Sequence, residues 1–264
     1  MSQFRSVVQT VRKSSPILYG IVWIHILLAF VCIAGLLVDD RTLMGLNVWI
    51  KPLKFAISGG IYILTLGFLI TLYPFSKKKK NWINTIVAWT LLLEFGIIVL
   101  QAARGTLSHY NYSTPTDALL FLAMGILVGV NVVIMFLFIV ETIRLKLAVS
   151  KSIQWAILWG WCIVFFGSWV GGQMIGQLAH NVGVADGGAG LPLLNWSTVG
   201  GDLRIAHFFG LHALQVVPLF AYFLQRKWKT TQKNLLVAVT LFALLYAGWI
   251  GFTFYQAKQG IPLL

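Results

Sequence analysis

Long apolar runs separated by short polar segments dominate this chain. Seven runs reach about twenty residues, the length that an α-helix needs to cross a bilayer. They cover residues 17–38, 53–73, 83–103, 118–140, 153–179, 205–225 and 235–256. The runs are continuous, without the alternation typical of membrane β-strands. The pattern predicts an all-α polytopic transmembrane bundle of about seven spans, forming a single integral membrane domain over residues 1–264.

Composition agrees with this prediction. The chain is 58% hydrophobic and only 10% charged, whereas soluble domains contain about 25% charged residues. The lipid bilayer is therefore the first partner that we expect. The net charge of +13 would also suit nucleic acid, but the positions of the basic residues favour another explanation.

Lys and Arg are concentrated on one side of the predicted spans, as in the cytoplasmic loops of membrane proteins. That side carries fourteen of the twenty cations, namely Arg5, Arg12, Lys13, Lys77, Lys78, Lys79, Lys80, Arg144, Lys146, Lys151, Arg226, Lys227, Lys229 and Lys233. The other side carries Arg41, Lys51, Lys54, Arg104, Arg204 and Lys258. We therefore expect a cytoplasmic N-terminus, an outside C-terminus, a cell membrane such as the bacterial inner membrane, and no nucleic-acid partner.

Polar side chains concentrate where the fifth and sixth spans meet the outer surface. The predicted site comprises Gln173, Gln177 and His180 on the fifth span, Arg204, His207 and Gln215 on the sixth, and Lys54, Gln101, Arg104 and His109 near the outer ends of other spans. Polar groups on apolar helices face one another rather than lipid. We expect them to line one outward-opening pocket for a small molecule, a lipid headgroup or a cofactor. The alternative is that they only hold the helices together.

Three ionisable residues lie deep in the predicted spans. Glu94 is ten residues before Arg104, His212 is eight after Arg204, and His25 is thirteen before Val38. At 1.5 Å per residue these positions lie about 15, 12 and 20 Å below the outer surface. Such groups are costly in a bilayer and indicate function. We expect them at the floor of the pocket.

The deep histidines suggest a second function. Two imidazoles from different helices can ligate haem b, so His25 and His212 are candidate axial ligands of a membrane redox protein. The arrangement resembles that of membrane b-type cytochromes in kind, although no motif of that family is present. In this hypothesis Glu94 orients one ligand or handles a proton. A structural histidine that bonds a neighbouring helix is the simpler alternative.

A third hypothesis is a metal-dependent hydrolase at the outer surface. His109, His180 and His207 would hold a divalent metal such as zinc, which takes three protein ligands and a water in catalytic sites, while Asp202 or Glu94 would serve as the catalytic carboxylate. The chain has no C-x-x-C, H-E-x-x-H, P-loop or G-x-S-x-G motif, so enzymatic activity stays open. The sequence predicts no oligomeric state.

One short pattern occurs twice. Residues 111–114 read Asn-Tyr-Ser-Thr and precede Asp117, and residues 195–198 read Asn-Trp-Ser-Thr and precede Asp202. Each stretch leads into a span, so we expect each Asp to be the N-cap of its helix. The recurrence suggests duplicated hairpins, with coincidence as the alternative.

Overall fold

The computed structural model describes residues 2–263. Its helices are α1 Ser2–Ser14, α2 Pro16–Val38, α3 Ile50–Leu69 with a following 3-10 turn Ile70–Leu72, α4 Lys77–Ala103, α5 Pro115–Arg144, α6 Lys151–Gln177, α7 Leu203–Lys227 and α8 Gln232–Lys258. Four two-residue strands, β1 Thr42–Leu43, β2 Leu46–Asn47, β3 Asn181–Val182 and β4 Gly201–Asp202, form two small antiparallel pairs. The predicted all-α membrane fold is confirmed.

Within residues 2–263, seven helices are long and apolar enough to cross a membrane, and each matches one predicted span. The largest difference is at α4, which begins at Lys77 rather than at residue 83. Lysine is a good helix former, and the Ser76 side chain caps the first turn by accepting from Lys79 N. The lysines therefore lie in the helix. The chain is a multi-pass membrane protein.

The helices divide into two compact units, with the boundary inside α5 between Asn131 and Val132. We call the N-terminal part unit 1 and the C-terminal part unit 2. That both units form a single domain stays a prediction.

Unit 1 is built on the antiparallel helices α2, α3 and α4. The β1–β2 hairpin joins α2 to α3, and Arg41 beside it donates to Ala103 O at the end of α4. At the opposite end, Ser15 before α2 donates to Gly67 O near the end of α3. We call these the hairpin end and the basic end. The hairpin end corresponds to the predicted outer side.

Unit 2 repeats this order with α6, α7 and α8. The β3–β4 pair precedes α7 at the end of this unit that we call its hairpin end, where Lys258 Nζ of α8 lies 3.5 Å from Gln177 Oε1 of α6. We call the opposite end of this unit its basic end. At the basic end Ser150, which caps α6, donates to Gln225 of α7. Each unit therefore contains three antiparallel spans with a short strand pair before the middle one.

Helices α6 and α7 pack backbone against backbone at two glycines. A Cβ on Gly167 would lie 2.8 Å from Gly210 Cα, and a Cβ on Gly210 would lie 2.6 Å from Gly167 Cα. Small residues let membrane helices approach this closely. Two glycine pairs lie in α3 and α6, at 59–60 and 171–172. A Cβ on Gly59 or Gly171 would lie within 3.0 Å of a histidine ring atom and one on Gly60 3.5 Å from His25 Cβ, whereas a Cβ on Gly172 would meet nothing within 4 Å.

Replacing Gly210 by Ala should therefore destabilise the protein. The added methyl group overlaps the α6 backbone, and overpacking of this kind costs about 1–3 kcal/mol. Thermal unfolding in a neutral detergent measures the loss. Gly172→Ala is the matched control and should leave the transition unchanged, because there is space for its methyl group. Equal transitions for both variants would contradict the close α6–α7 contact.

Candidate functional site

Asp39 fastens the hairpin end of unit 1. Its carboxylate accepts from Arg41 Nε at 2.9 Å and Nη2 at 2.7 Å, and from Trp49 Nε1 at 2.8 Å. These hydrogen bonds, first from Arg41 and then from Trp49, hold the pKa of Asp39 well below its usual range. The Trp49 ring lies against Gly35, where a Cβ would come within 2.5 Å of it. The Asp39–Arg41 ion pair therefore holds the connection between α2 and α3 in place.

Asp117 fastens the connection between α4 and α5. The side chain is 1% exposed, and its Oδ1 accepts from Arg104 Nη1 at 2.7 Å and Gln101 Nε2 at 2.9 Å. Its Oδ2 accepts from the hydroxyls of Ser113 and Thr114. Gln101 and Arg104, which the sequence predicts to bind a ligand, thus have a structural partner. That they also line a pocket stays a prediction.

The expectation that Asp117 caps α5 is wrong. Thr114 is the cap, since its Oγ1 accepts from Asp117 N at 3.1 Å and its carbonyl from Ala118 N at 3.0 Å. Pro115 takes the first helical position, where its missing N–H costs nothing, and Asp117 comes third. In contrast, Asp202 caps α7 as expected, accepting from Arg204 N at 2.9 Å.

Asp202 is nevertheless surrounded much as Asp117 is. It accepts from Arg204 Nη2 at 2.6 Å and from Ser197 N at 2.8 Å, and Arg204 also donates to Asn195 O. In both units, an Arg and the Ser of the repeated tetrapeptide bind a buried Asp. The Arg precedes the tetrapeptide in unit 1 and follows it in unit 2, so the recurrence is partial. Duplication of the hairpins stays a prediction.

His180 and Gln177 organise the loop after α6. Asp186 accepts from His180 Nδ1 at 2.5 Å, from His180 N at 3.0 Å and from Asn181 N at 2.8 Å. Burial alone would raise the pKa of Asp186, but these hydrogen bonds lower it to about 2. Gln177 Nε2 donates to the carbonyls of Ala179 and Asn181. Both predicted ligand-binding residues thus close a turn.

The remaining candidates of unit 2 lie along α6 and α7. His207 Nδ1 donates to Gly167 O at 2.8 Å, across the close contact of the two helices. The ring centroid of His212 lies 4.5 Å from that of Phe208, and the His212 side chain forms a hydrogen bond with the side chain of Gln215, one turn later. Gln173 is half-buried one turn before Gln177. Packing thus accounts for His207, as the structural alternative expects.

His25 is packed tightly inside unit 1. Its Nδ1 donates to Ile21 O at 3.0 Å, and its ring stacks on Phe95 with a centroid distance of 4.9 Å. The Nε2 atom faces α3, since a Cβ on Gly59 would lie 3.0 Å from it. A ligating histidine presents a ring nitrogen to the metal. The α3 backbone lies on that side of the ring, so the haem hypothesis gains no support.

Glu94 lies on the buried face of α4 together with Thr90 and Gln101. Both neighbours bond α5, because Asn131 Nδ2 donates to Thr90 Oγ1 at 2.9 Å and Gln101 donates to Asp117. Glu94 therefore lies between two polar bridges on a helix face that turns toward α5. A proton-handling role stays a prediction.

A lysine from α3 meets a histidine from the α4–α5 loop at the hairpin end of unit 1. Lys51 Nζ lies 3.2 Å from His109 Nδ1, and the Ser108 hydroxyl lies 3.1 Å from the same nitrogen. An ammonium group can only donate, so Nδ1 accepts and the ring proton is on Nε2. Lys54 follows one helical turn after Lys51, on the same face. Both lysines are half-buried.

An aromatic cluster surrounds His109. Its ring centroid lies 6.1 Å from Phe55, 6.0 Å from Tyr110 and 6.2 Å from Phe121. Tyr112 also packs edge-on against Phe121 at 5.6 Å. The cluster packs the α4–α5 loop against Phe55 of α3 and against Phe121 of α5.

The start of α3 adds positive potential to this position. Its first turn contains no acidic residue, and the side chain of the N-cap residue Trp49 makes no capping hydrogen bond. Helix N-termini carry about half a positive charge. Lys51, Lys54 and the helix terminus therefore place like charges together, which favours an anion there.

Other predicted sites receive less support. Across residues 2–263 there is no group of three His, Cys, Asp or Glu side chains that could hold a metal ion. A groove of about 380 Å³ in unit 2 is lined by Trp155, Leu236, Val237, Thr240 and Leu241, none of which is a predicted site residue. One shared pocket for residues of both units stays a prediction.

Several contacts of the candidate residues were not predicted from the sequence. Asp186 binds His180 from six residues away, and Lys51 lies beside His109. In the sequence, only the two lysines Lys51 and Lys54 at the start of a helix indicated a binding position, because cations there oppose the helix dipole. No family model, curated protein or solved structure matches this chain.

The Asp186 pair makes stability depend on pH. The pKa of Asp186 is lowered to about 2 from an ordinary 3.8, so its contribution is fully present above pH 4 and is lost as the pH falls through 2. Asp186→Asn should reduce the free energy of unfolding by about 1 kcal/mol at neutral pH, allowing for solvent screening. Thermal unfolding from pH 7 to pH 2 should show parent and variant converging.

The matched control is Asp40→Asn, since Asp40 is an exposed loop residue of unit 1. It should follow the parent across the whole pH range. A difference between parent and Asp186→Asn that stays constant down to pH 2 would contradict the ionised pair.

Proposed function

We propose that this multi-pass membrane protein binds a small anionic molecule at the hairpin end of unit 1, with Lys51, Lys54 and His109 as the binding residues. The proposal includes the predicted orientation, in which this end faces outward from the cell membrane. The Lys51–His109 contact of 3.2 Å carries the argument, because it brings donors from two separate segments to one place.

Electrostatics support an anion rather than a neutral ligand. Two half-buried lysines, Lys51 and Lys54, lie within five residues of the start of α3, and its first turn contains no acidic residue. A cation at this end of a helix costs about 0.3–1 kcal/mol. A bound anion offsets this repulsion, because helix N-termini favour negative charge.

The available hydrogen-bonding groups define the ligand class. Lys51 and Lys54 only donate, and His109 donates through Nε2 because its Nδ1 is already an acceptor for Lys51. A carboxylate or a phosphate group accepts several such bonds at once. The nearby aromatic rings of Phe55 and Phe121 would contact an apolar part of the same ligand.

The contrast with the two arginines supports this choice. Arg104 is bound to Asp117 and Arg204 to Asp202, at 2.7 Å and 2.6 Å. An anionic ligand would have to compete there with a carboxylate of the chain itself. The Lys51 ammonium group instead contacts Nδ1 of His109, a side chain that can itself bind an anion through Nε2.

The double variant Lys51→Gln/Lys54→Gln should weaken binding of this anion by about tenfold or more, because a hydrogen bond to a charged group contributes about 1.5–3 kcal/mol. Isothermal titration calorimetry of the purified protein in a neutral detergent, with inorganic phosphate, sulfate, acetate and citrate as probes, measures the effect. Lys258→Gln, a change at the hairpin end of unit 2, is the matched control and should bind like the parent.

Two results would overturn the proposal. In one, none of the four anions binds the parent protein. In the other, the double variant and the parent bind the same anion equally well. The thermal unfolding transition of each variant, recorded without anions, shows whether a loss of binding comes from misfolding.

A further inference from the structure

Helix α1 is amphipathic and contains cations but no acid. Phe4, Val7, Val8 and Val11 recur at the spacing of one helix face, while Arg5, Arg12 and Lys13 are exposed. Val11 is fully buried, whereas Phe4 is 66% exposed. Cover of the apolar stripe by the protein thus increases along the helix, from the exposed Phe4 through the half-buried Val7 and Val8 to the buried Val11. Helices of this composition lie at the boundary between lipid headgroups and acyl chains.

Contacts with the spans fix α1 to the basic end of unit 1. A Cβ on Gly67 would lie 2.9 Å from Val11 Cγ1, so this valine packs directly on the α3 backbone. The helix ends at Ser14. The hydroxyl of the next residue, Ser15, donates to Gly67 O and accepts from Asn84 Nδ2 at 3.0 Å. One serine therefore ties α1 to both α3 and α4.

The same bond brings a second basic segment to this end. Lys77–Lys80 form the first turn of α4, just before Asn84. Lys80 Nζ lies 3.4 Å from Thr71 O, and Lys79 Nζ lies 4.1 Å from the Phe75 ring centroid. Trp82 is 60% exposed, and tryptophan is enriched where membranes meet water. Lys77–Lys80 therefore lie at the level of the lipid headgroups.

The charge of this end has one sign. Residues 2–20 and 66–90 contain seven cations, namely Arg5, Arg12, Lys13, Lys77, Lys78, Lys79 and Lys80, and no Asp or Glu. Each Lys or Arg near an anionic membrane surface strengthens its attraction, and the effect fades over a Debye length. Because Phe4 is exposed among these cations, a ligand of this surface has to offer an apolar region as well as negative charge.

We propose that α1 and Lys77–Lys80 form one surface that binds the headgroups of anionic phospholipids, with Phe4 inserted among their acyl chains. Phospholipid supplies both the phosphate and the apolar layer that this surface needs. A soluble phosphate compound offers only the first, and a neutral phospholipid only the second. The surface lies at the opposite end of unit 1 from Lys51, Lys54 and His109, and it does not depend on the function proposed for them.

The full chain, purified in a neutral maltoside detergent at low salt, tests this surface by its thermal unfolding. Dioleoyl phosphatidylglycerol should raise the unfolding temperature more than dioleoyl phosphatidylcholine does. Arg5→Gln/Arg12→Gln/Lys13→Gln should clearly reduce this difference, because three of the seven cations are lost. Lys227→Gln/Lys229→Gln/Lys233→Gln removes equal charge from the basic end of unit 2 and should keep the difference between the two lipids.

A second measurement on the parent covers the case in which the α1 variant does not fold. Raising the salt to 1 M shortens the Debye length to about 3 Å, and the phosphatidylglycerol effect should then fall to that of phosphatidylcholine. Equal effects of both lipids at low salt would overturn the proposal. So would an effect of inorganic phosphate as large as that of phosphatidylglycerol, or an equal loss in both triple variants.

Discussion

A charged group inside an apolar environment needs a partner from the same chain, and the hairpin ends of both units depend on this constraint. An isolated carboxylate in such a position is expensive, and it persists when donors surround it. Asp117 and Asp202 are almost fully buried, and each binds an arginine together with the tetrapeptide before its helix. These two carboxylates determine the paths of the loops that carry the candidate site.

The arginines of the hairpin ends and Lys51 contact different groups. Arg104 and Arg204 have a carboxylate within 2.7 Å, so their charge is largely compensated. Lys51 instead contacts an imidazole nitrogen of a loop whose course is set by Asp117. The same network that neutralises the arginine therefore positions His109 beside a lysine. The anion site proposed here is a consequence of that loop geometry.

The apolar pattern was sufficient to predict the spans, since each of them is long and few polar residues interrupt it. It was insufficient for α1, whose mixed composition lacks a long apolar run, and for the first turn of α4, where lysines resemble a loop. The hydrophobic pattern also fails at Gly167 and Gly210. Neither of them has a glycine beside it in the sequence, whereas the glycine pair at 171–172 includes Gly172, where an added Cβ would meet nothing within 4 Å.

Predicting the site was harder because partners come from segments without regular structure. His180 and Gln177 belong to a polar stripe on α6, but the path of the following loop decides that Asp186 and main-chain carbonyls bind them. Asp117 looked like an N-cap, and a threonine three residues earlier takes that role. His25 was a plausible ligand by depth alone. The three-dimensional structure is needed to show that Gly59 of α3 lies against the Nε2 atom of His25.

The central claim is that anions bind at Lys51 and Lys54 and not at the paired arginines. Anomalous diffraction from crystals soaked in selenate, recorded at the selenium edge, tests this directly. The account predicts a selenium peak whose oxygens lie about 3 Å from Lys51 Nζ and Lys54 Nζ, close to His109, and no peak at Arg104 or Arg204. Selenate bound at either arginine, with none beside the two lysines, would contradict it.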